Sequence, residues 1–221
     1  MSYVLILGLP VAAAIAAFLI GSIPFGYLIG RFVYRIDIRK SGSGNIGAMN
    51  ALRTMGKGGA IAVLLLDALK GFAPVAYIQA HVSGALTWTE GTHTIPLSAA
   101  HVLGSIVAMA TVLGHCFSPW LGWKGGKGVA TSFGAIFGFS WQSGLIAVGG
   151  WIAGALITQY SSVGSMFGSI IAPVALWFFT GSLAETLYGA AAALLIIFMH
   201  RDNVGRLRAG TEGAIGFLRR K

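Results

Sequence analysis

The sequence predicts an all-α fold: a polytopic integral membrane helical bundle of about seven transmembrane helices, with the N-terminus outside and the C-terminus cytoplasmic. Three observations predict it. Of 221 residues, 56% are hydrophobic and only 10% charged, and the mean hydropathy is +0.79, far from the roughly 25% charged residues of a soluble domain. The apolar residues fall in runs, several of them near the roughly 20 residues that a spanning helix requires. The basic residues, which give a net charge of +9, are confined almost entirely to three segments, the bias expected of cytoplasmic loops.

The first run, about Val4 to Ile29, lacks a basic leader and is too long for the apolar region of a secretory signal, so it predicts a retained spanning helix. The first basic segment follows, with Arg31, Arg35, Arg39, Lys40, Arg53 and Lys57. A second run covers about Gly58 to Ala80. The connection from His81 to Thr94 has no Lys or Arg, which suits the outer side, and a third run covers about Ile95 to Leu113. Lys124 and Lys127 make the second basic segment. The helix from about Gly128 to Gly138 is too short to cross a bilayer of about 30 Å at about 1.5 Å per residue and needs cover from its neighbours. Breaks at Phe139 to Gln142, Gln159 to Gly164 and Thr180 to Glu185 set off three more helices, and the tail carries Arg201, Arg206, Arg208, Arg219, Arg220 and Lys221. Gly26 and Gly30, Gly134 and Gly138, Gly150 and Gly154, and Gly164 and Gly168 recur at the four-residue spacing that lets helix backbones approach closely. No repeat or soluble segment interrupts this pattern, so residues 1–221 read as a single membrane-embedded domain. Cys116, the only cysteine, excludes an internal disulfide and reads as buried filler.

Two stretches on the predicted cytoplasmic side alternate glycine with hydrogen-bond donors: RKSGSGNIGAMNALR, residues 39–53, and WLGWKGGKGVAT, residues 120–131. Gly44, Gly125, Gly126 and Gly128 allow successive backbone N–H groups to turn toward one point, Lys127 and Arg53 add charge, and Ser43, Asn45 and Asn50 add directed donors. Together they look built for phosphate. That glycines only turn the chain and lysines only anchor it to headgroups explains either loop alone more easily than both with a third polar cluster, MHRDNVGRLRAGTEG, residues 199–213. On a continuing helix His200, Asn203 and Arg206 share one face and point to anion binding. Asp67 and Lys70, inside the second apolar run, are spaced to pair with each other, which favours a structural role.

Missing motifs narrow the chemistry. KGGKG lacks the spacing and terminal hydroxyl of a Walker A loop, no G-x-S-x-G elbow is present, and no histidine has an aspartate at the H-x-x-x-x-D spacing of many acyltransferases. The six carboxylates are too scattered to suggest a paired-acid or two-metal site, so no metal site and no cofactor is expected. An anion transporter would share the basic helical bundle, but its polar groups belong near the midplane or on both sides. A metal-dependent lipid-headgroup transferase needs clustered aspartates.

SGSGNIGAMN, LLLDALKG, GHCFSPWLGWKGGKGVAT and HRDNVGRL, in this order across most of the chain, resemble the motifs of the bacterial acyl-phosphate:glycerol-3-phosphate acyltransferases, the PlsY type. The resemblance implies a seven-helix enzyme of the bacterial inner membrane with its site facing the cytoplasm. Such an enzyme moves a fatty acyl group from acyl phosphate to the first hydroxyl of glycerol 3-phosphate, giving lysophosphatidic acid and phosphate. Its partners are those two substrates and membrane lipid, with no nucleic acid. The family's substrate-holding residues fall on Ser43, Arg53, Lys127, His200 and Asn203, and a further polar position falls on Ser165. Where the family reads GATN this chain has Met49, losing one hydroxyl. His200 is either a general base or only a phosphate ligand.

Overall fold

The computed structural model describes residues 3–90 and 93–215. Its helices are α1 (Tyr3–Ser22), α2 (Phe25–Phe32), α3 (Ala48–His81), α4 (Ala99–Cys116), α5 (Val129–Phe139), α6 (Trp141–Thr158), α7 (Ser161–Thr180), α8 (Leu183–Met199) and α9 (Arg201–Arg208), with strands β1 (Ala85–Glu90) and β2 (His93–Ser98) between α3 and α4. Each predicted apolar run is helical over most of its length. Among the described residues, five helical segments are long and apolar enough to cross a membrane, α8 with α9 makes a sixth if that bent pair is one span, and α5 is shorter. Arg219, Arg220 and Lys221 lie outside the described residues.

Four boundaries differ from the sequence expectation, each for a local reason. The first run is not one helix: Pro24, which has no N–H to donate, separates α1 from α2. The carbonyls this frees are taken up by other elements. Ser22 O accepts from Ser118 Oγ at 2.7 Å, Ile23 O accepts from Lys70 Nζ at 2.8 Å, and Trp120 Nε1 donates to Ser22 Oγ at 2.7 Å, as a break inside an apolar layer requires. The second helix begins at Ala48, ten residues before Gly58, and kinks at Gly56, where φ is 71°. The connection after α3 is an antiparallel hairpin with Ala85 opposite Ser98 and Glu90 opposite His93, so the third helix starts at Ala99 and not near Ile95. Finally the last helix does not continue through His200: α9 leaves α8 at 53°.

Small residues set how closely the helices pack. A Cβ on Gly21 of α1 would run into the Thr111 carbonyl of α4, and one on Gly114 of α4 into the Phe18 carbonyl. Gly150 and Gly154 of α6 face Gly168 and Gly164 of α7, where an added Cβ would stand 3.1 Å and 3.0 Å from the opposing Cα atoms. Gly134 and Gly138 of α5 abut Ala68 and Val75 of α3, so these two helices run parallel. The outer surface is apolar, with Ile157, Phe178 and Leu194 more than two-thirds exposed, as lipid-facing residues are.

The 11-residue α5 turns at Ser140 into the 18-residue α6. Sharing that turn, α5 begins seven residues short of the level at which α6 ends, so its N-terminus stands roughly 10 Å below that one helix end, beside Cys116 at the close of α4.

Candidate active site

By connectivity the starts of α3, α5 and α7 and the ends of α4, α6 and α8 share one face of the bundle, and all three polar segments lie there. The loop before α3 is organised by Asn50, which is buried. Its Oδ1 accepts from the Ser43 amide at 2.8 Å, and its Nδ2 faces the Ile38, Ser41 and Asn45 carbonyls at 3.0, 3.0 and 2.8 Å. With its amide used in this way, Asn50 positions the loop and offers no donor outward. Asn45 is committed through its Oδ1, which accepts from the Gly47 amide at 2.9 Å. Gly44 has φ of 72°, which keeps the turn in a conformation that suits glycine, and the exposed Ser43 stands beside it. No side chain caps the start of α3.

The second glycine stretch departs from the predicted nest. The Gly125 and Gly126 amides donate back to the Cys116 and His115 carbonyls, both at 3.0 Å, and so close the C-terminus of α4. The outward donors lie one step further on. Gly128, with φ of 83°, is the N-cap of α5 and leaves that helix start without a side-chain cap, a ready site for an anion. Lys127, the residue before it, donates from Nζ to Asn203 Oδ1. Burial, and after it the neighbouring Arg206 charge, lower the Lys127 ammonium to about 8.

The third segment wraps around a carboxylate that motif reading passed over. Glu212 Oε1 accepts from Asn203 Nδ2 at 2.6 Å and Ser162 Oγ at 2.9 Å, while Oε2 accepts from Arg206 Nε at 2.7 Å. Burial raises its pKa, but these three donors outweigh it and hold the group below its usual value. The stretch HRDNVGRLRAGTEG did contain Glu212; counting carboxylates in pairs missed it, because its partners are an amide, a hydroxyl and a guanidinium. Although the helix breaks at His200, Asn203 and Arg206 keep their common face on α9 and meet at this one acceptor. The tail is tied down on both sides, by Arg53 Nη2 to Gly213 O at 3.4 Å and by Ile215 N to Gln159 O at 2.9 Å. His200, 4% exposed, donates from Nδ1 to Ile196 O at 2.7 Å, which leaves Nε2 as the acceptor of the neutral ring. Ser165 is buried on α7, with its hydroxyl committed to the Ser161 carbonyl at 2.9 Å.

Lys127, Asn203, Arg206, Glu212 and Ser162 therefore form one hydrogen-bonded group, with Arg53 joined through the tail. Ser43 is joined to it only through Asn50 and the first turns of α3.

Directly below the second loop lies a buried charged cluster of which the sequence showed two members. Lys70 Nζ sits 2.8 Å from Asp67 Oδ1, the pair expected from their spacing, and His115 Nδ1 stands 3.6 Å from the same oxygen. The imidazole fills the space where a Gly126 side chain would be. His115 thus links the charged pair to the backbone that carries Lys127, and only the fold shows this, since residues 70, 115 and 126 are far apart in the chain.

A charged, donor-rich face on an apolar bundle suits a membrane protein that handles an anionic substrate. The sequence profile of the family described as glycerol-3-phosphate acyltransferase matches residues 11–210. Glycerol-3-phosphate acyltransferases of Rhodopseudomonas palustris (strain BisB5) and Mesorhizobium japonicum are each 43% identical, over 95% and 98% of this chain and 98% of each relative. The crystal structure of PlsY (YgiH), an integral membrane glycerol 3-phosphate acyltransferase, in its glycerol 3-phosphate form, superposes with a TM-score of 0.81 at 33% identity, covering 95% of this chain and 96% of that one; its lysophosphatidic acid form gives 0.79. The chain belongs to the glycerol-3-phosphate acyltransferase family, as an integral membrane enzyme of the PlsY type.

Proposed function

We propose that the enzyme takes its acyl group from acyl phosphate and passes it to the sn-1 hydroxyl of glycerol 3-phosphate, releasing lysophosphatidic acid and inorganic phosphate at the cytoplasmic face of the bacterial inner membrane. This is the first acylation step of phospholipid synthesis. The observation that carries the reading is the grouping of Lys127, Arg206 and Arg53 near the uncapped start of α5, against two carboxylates, Glu212 and Asp202. Two phosphate-bearing reactants repel each other, and an excess of fixed positive charge offsets that repulsion while holding the hydroxyl near the acyl carbonyl. Solved PlsY structures with glycerol 3-phosphate and with lysophosphatidic acid agree with this substrate and product.

In the reaction the hydroxyl oxygen attacks the acyl carbon, the bond from that carbon to the phosphate oxygen breaks, and phosphate departs with the electron pair. The donor is already a mixed anhydride, so no acyl-enzyme is required. Lys127 and the first amides of α5 bind the phosphate oxygens on which charge accumulates, and Ser43 and Arg53 hold the second phosphate. The hydroxyl proton goes to the departing phosphate, with His200 Nε2 accepting a hydrogen bond and orienting the nucleophile. The acyl chain has an apolar groove of about 500 Å³ between α1, α4 and α8, walled by Ala14, Met109, Leu113, Leu187 and Ala191.

Purified enzyme offered glycerol 3-phosphate with acyl phosphate, and separately with acyl-CoA, yields lysophosphatidic acid only from acyl phosphate. Product from acyl-CoA alone, or no product with either donor, refutes the assignment. His200→Gln keeps a hydrogen-bonding group but not a base, and is expected to retain at least about a tenth of wild-type kcat; a loss of about 10³-fold makes His200 the base instead. The pH profile tests Lys127. Its ammonium is complete below about 8 and is lost above it, so kcat/KM for acyl phosphate should be level just below that pH and fall by about tenfold per unit above it. A profile flat to pH 10 removes the Lys127 charge from the reaction.

A further inference from the structure

At the opposite face of the bundle, where α5 and α7 end and α6 and α8 begin, lies a second cavity, of about 400 Å³, that the acyltransferase reaction does not use. Its floor holds Glu185, 1% exposed. Oε1 of that carboxylate lies 3.4 Å from Gln79 Nε2 and 3.8 Å from His101 Nε2, and Oε2 has no hydrogen-bond partner among the described residues. A buried carboxylate oxygen without a partner is costly, and a cation seated against it removes the cost. Apart from the His101 imidazole, the described residues supply none nearby: their Lys and Arg all lie in the segments at the other face except Lys70, which pairs with Asp67.

The walls say which kind of cation fits. Phe137, Phe139, Trp141 and Phe179 line the cavity, and aromatic faces attract weakly hydrated organic cations. The C-terminal ends of α5 and α7 and the N-terminal ends of α6 and α8 meet there and offset each other, which leaves the Glu185 carboxylate as the charge that selects a cation. Oxygen-seeking metal ions need more carboxylate or carbonyl ligands than Glu185 alone offers, and among the described residues no group of three His, Cys, Asp or Glu side chains forms. Trp141, 62% exposed, and Phe179, 43% exposed, leave the mouth open at the bundle surface.

We propose that this cavity is a binding site for an organic ammonium group, with Glu185 as its counter-ion and the aromatic ring set as its wall. The ammonium belongs either to an amine-bearing lipid headgroup in the adjacent leaflet or to a small soluble amine. The site stands 15 residues from His200 along α8, roughly 22 Å, so occupancy does not touch the reacting groups.

The test uses the full chain in maltoside micelles with ethylammonium chloride as the probe, read by saturation-transfer NMR. Wild type should transfer saturation to the ethylammonium protons, and Glu185→Gln, with acyltransferase activity unchanged, should weaken that binding at least about tenfold. Equal transfer in both proteins overturns the proposal. Should Glu185→Gln fail to fold, competition on the wild type decides instead: tetramethylammonium must displace the probe and its uncharged analogue tert-butanol must not, and displacement by both alike overturns the site. Repeating the titration in nanodiscs names the source. Loss of the probe signal in phosphatidylethanolamine but not phosphatidylglycerol supports a lipid headgroup, and equal signals in the two support a soluble amine.

Discussion

Lys127→Ala should lower kcat by on the order of 100-fold or more while the protein folds normally. The side chain reaches across from the start of α5 to Asn203, and no other described basic group stands next to that helix start in the chain. In the proposed reaction truncation would remove the donor that meets charge as phosphate departs, an interaction stronger in the transition state than in the ground state, so the loss should fall on kcat and not only on KM. Arg206 stays in place, held by Glu212 at 2.7 Å, and keeps part of the positive field. Single-turnover acyl transfer with purified variant and saturating acyl phosphate is the measurement; a rate within a few-fold of wild type takes Lys127 out of the chemistry.

The second large effect is on stability. Asp67→Leu leaves Lys70 and His115 without their carboxylate in a place where side-chain exposure is 2% and 4%, and breaking a buried pair from one side costs about 3–5 kcal/mol. Thermal unfolding in detergent should show a fall in Tm of many degrees, with loss of expression if the protein is only marginally stable. The double variant Asp67→Leu with Lys70→Met removes both charges and should recover most of the loss, since apolar replacement of a whole buried pair is often neutral. A single variant as stable as wild type shows that the cluster contributes nothing to folding. Because Lys70 also holds the Ile23 carbonyl, recovery should fall short of complete.

What could be read from the chain follows a physical line. Helix runs, the close-packed glycine pairs and the Asp67 to Lys70 contact were legible because each depends on neighbours in sequence: hydropathy over a window, or side chains three and four residues apart. That the segments of Ser43, Lys127 and His200 lie at one face of the bundle was legible through the distribution of basic residues. The break at Pro24 was hidden inside an unbroken apolar run, since its carbonyls are satisfied by Lys70 and Ser118, far away in the chain. Glu212 and His115 were missed for the same reason: a lone carboxylate and a lone histidine carry no signal until the fold brings Arg206 to one and Asp67 to the other. The backbone of Gly125 and Gly126 was misread because glycine-rich sequence does not say which way its amides point. Here they turn back toward α4.

The brevity of α5 bears on how the two reactants can meet. One is water-soluble and the other carries a fatty chain, and a catalytic centre flush with the helix ends would have to drag that chain out of hydrocarbon. With the start of α5 roughly 10 Å below the end of α6, the proposed reaction would bring the polar reactant down to that level, and the greasy one would keep its tail among lipids throughout. On that proposal the lipid product would leave sideways into the leaflet, and phosphate would return to water.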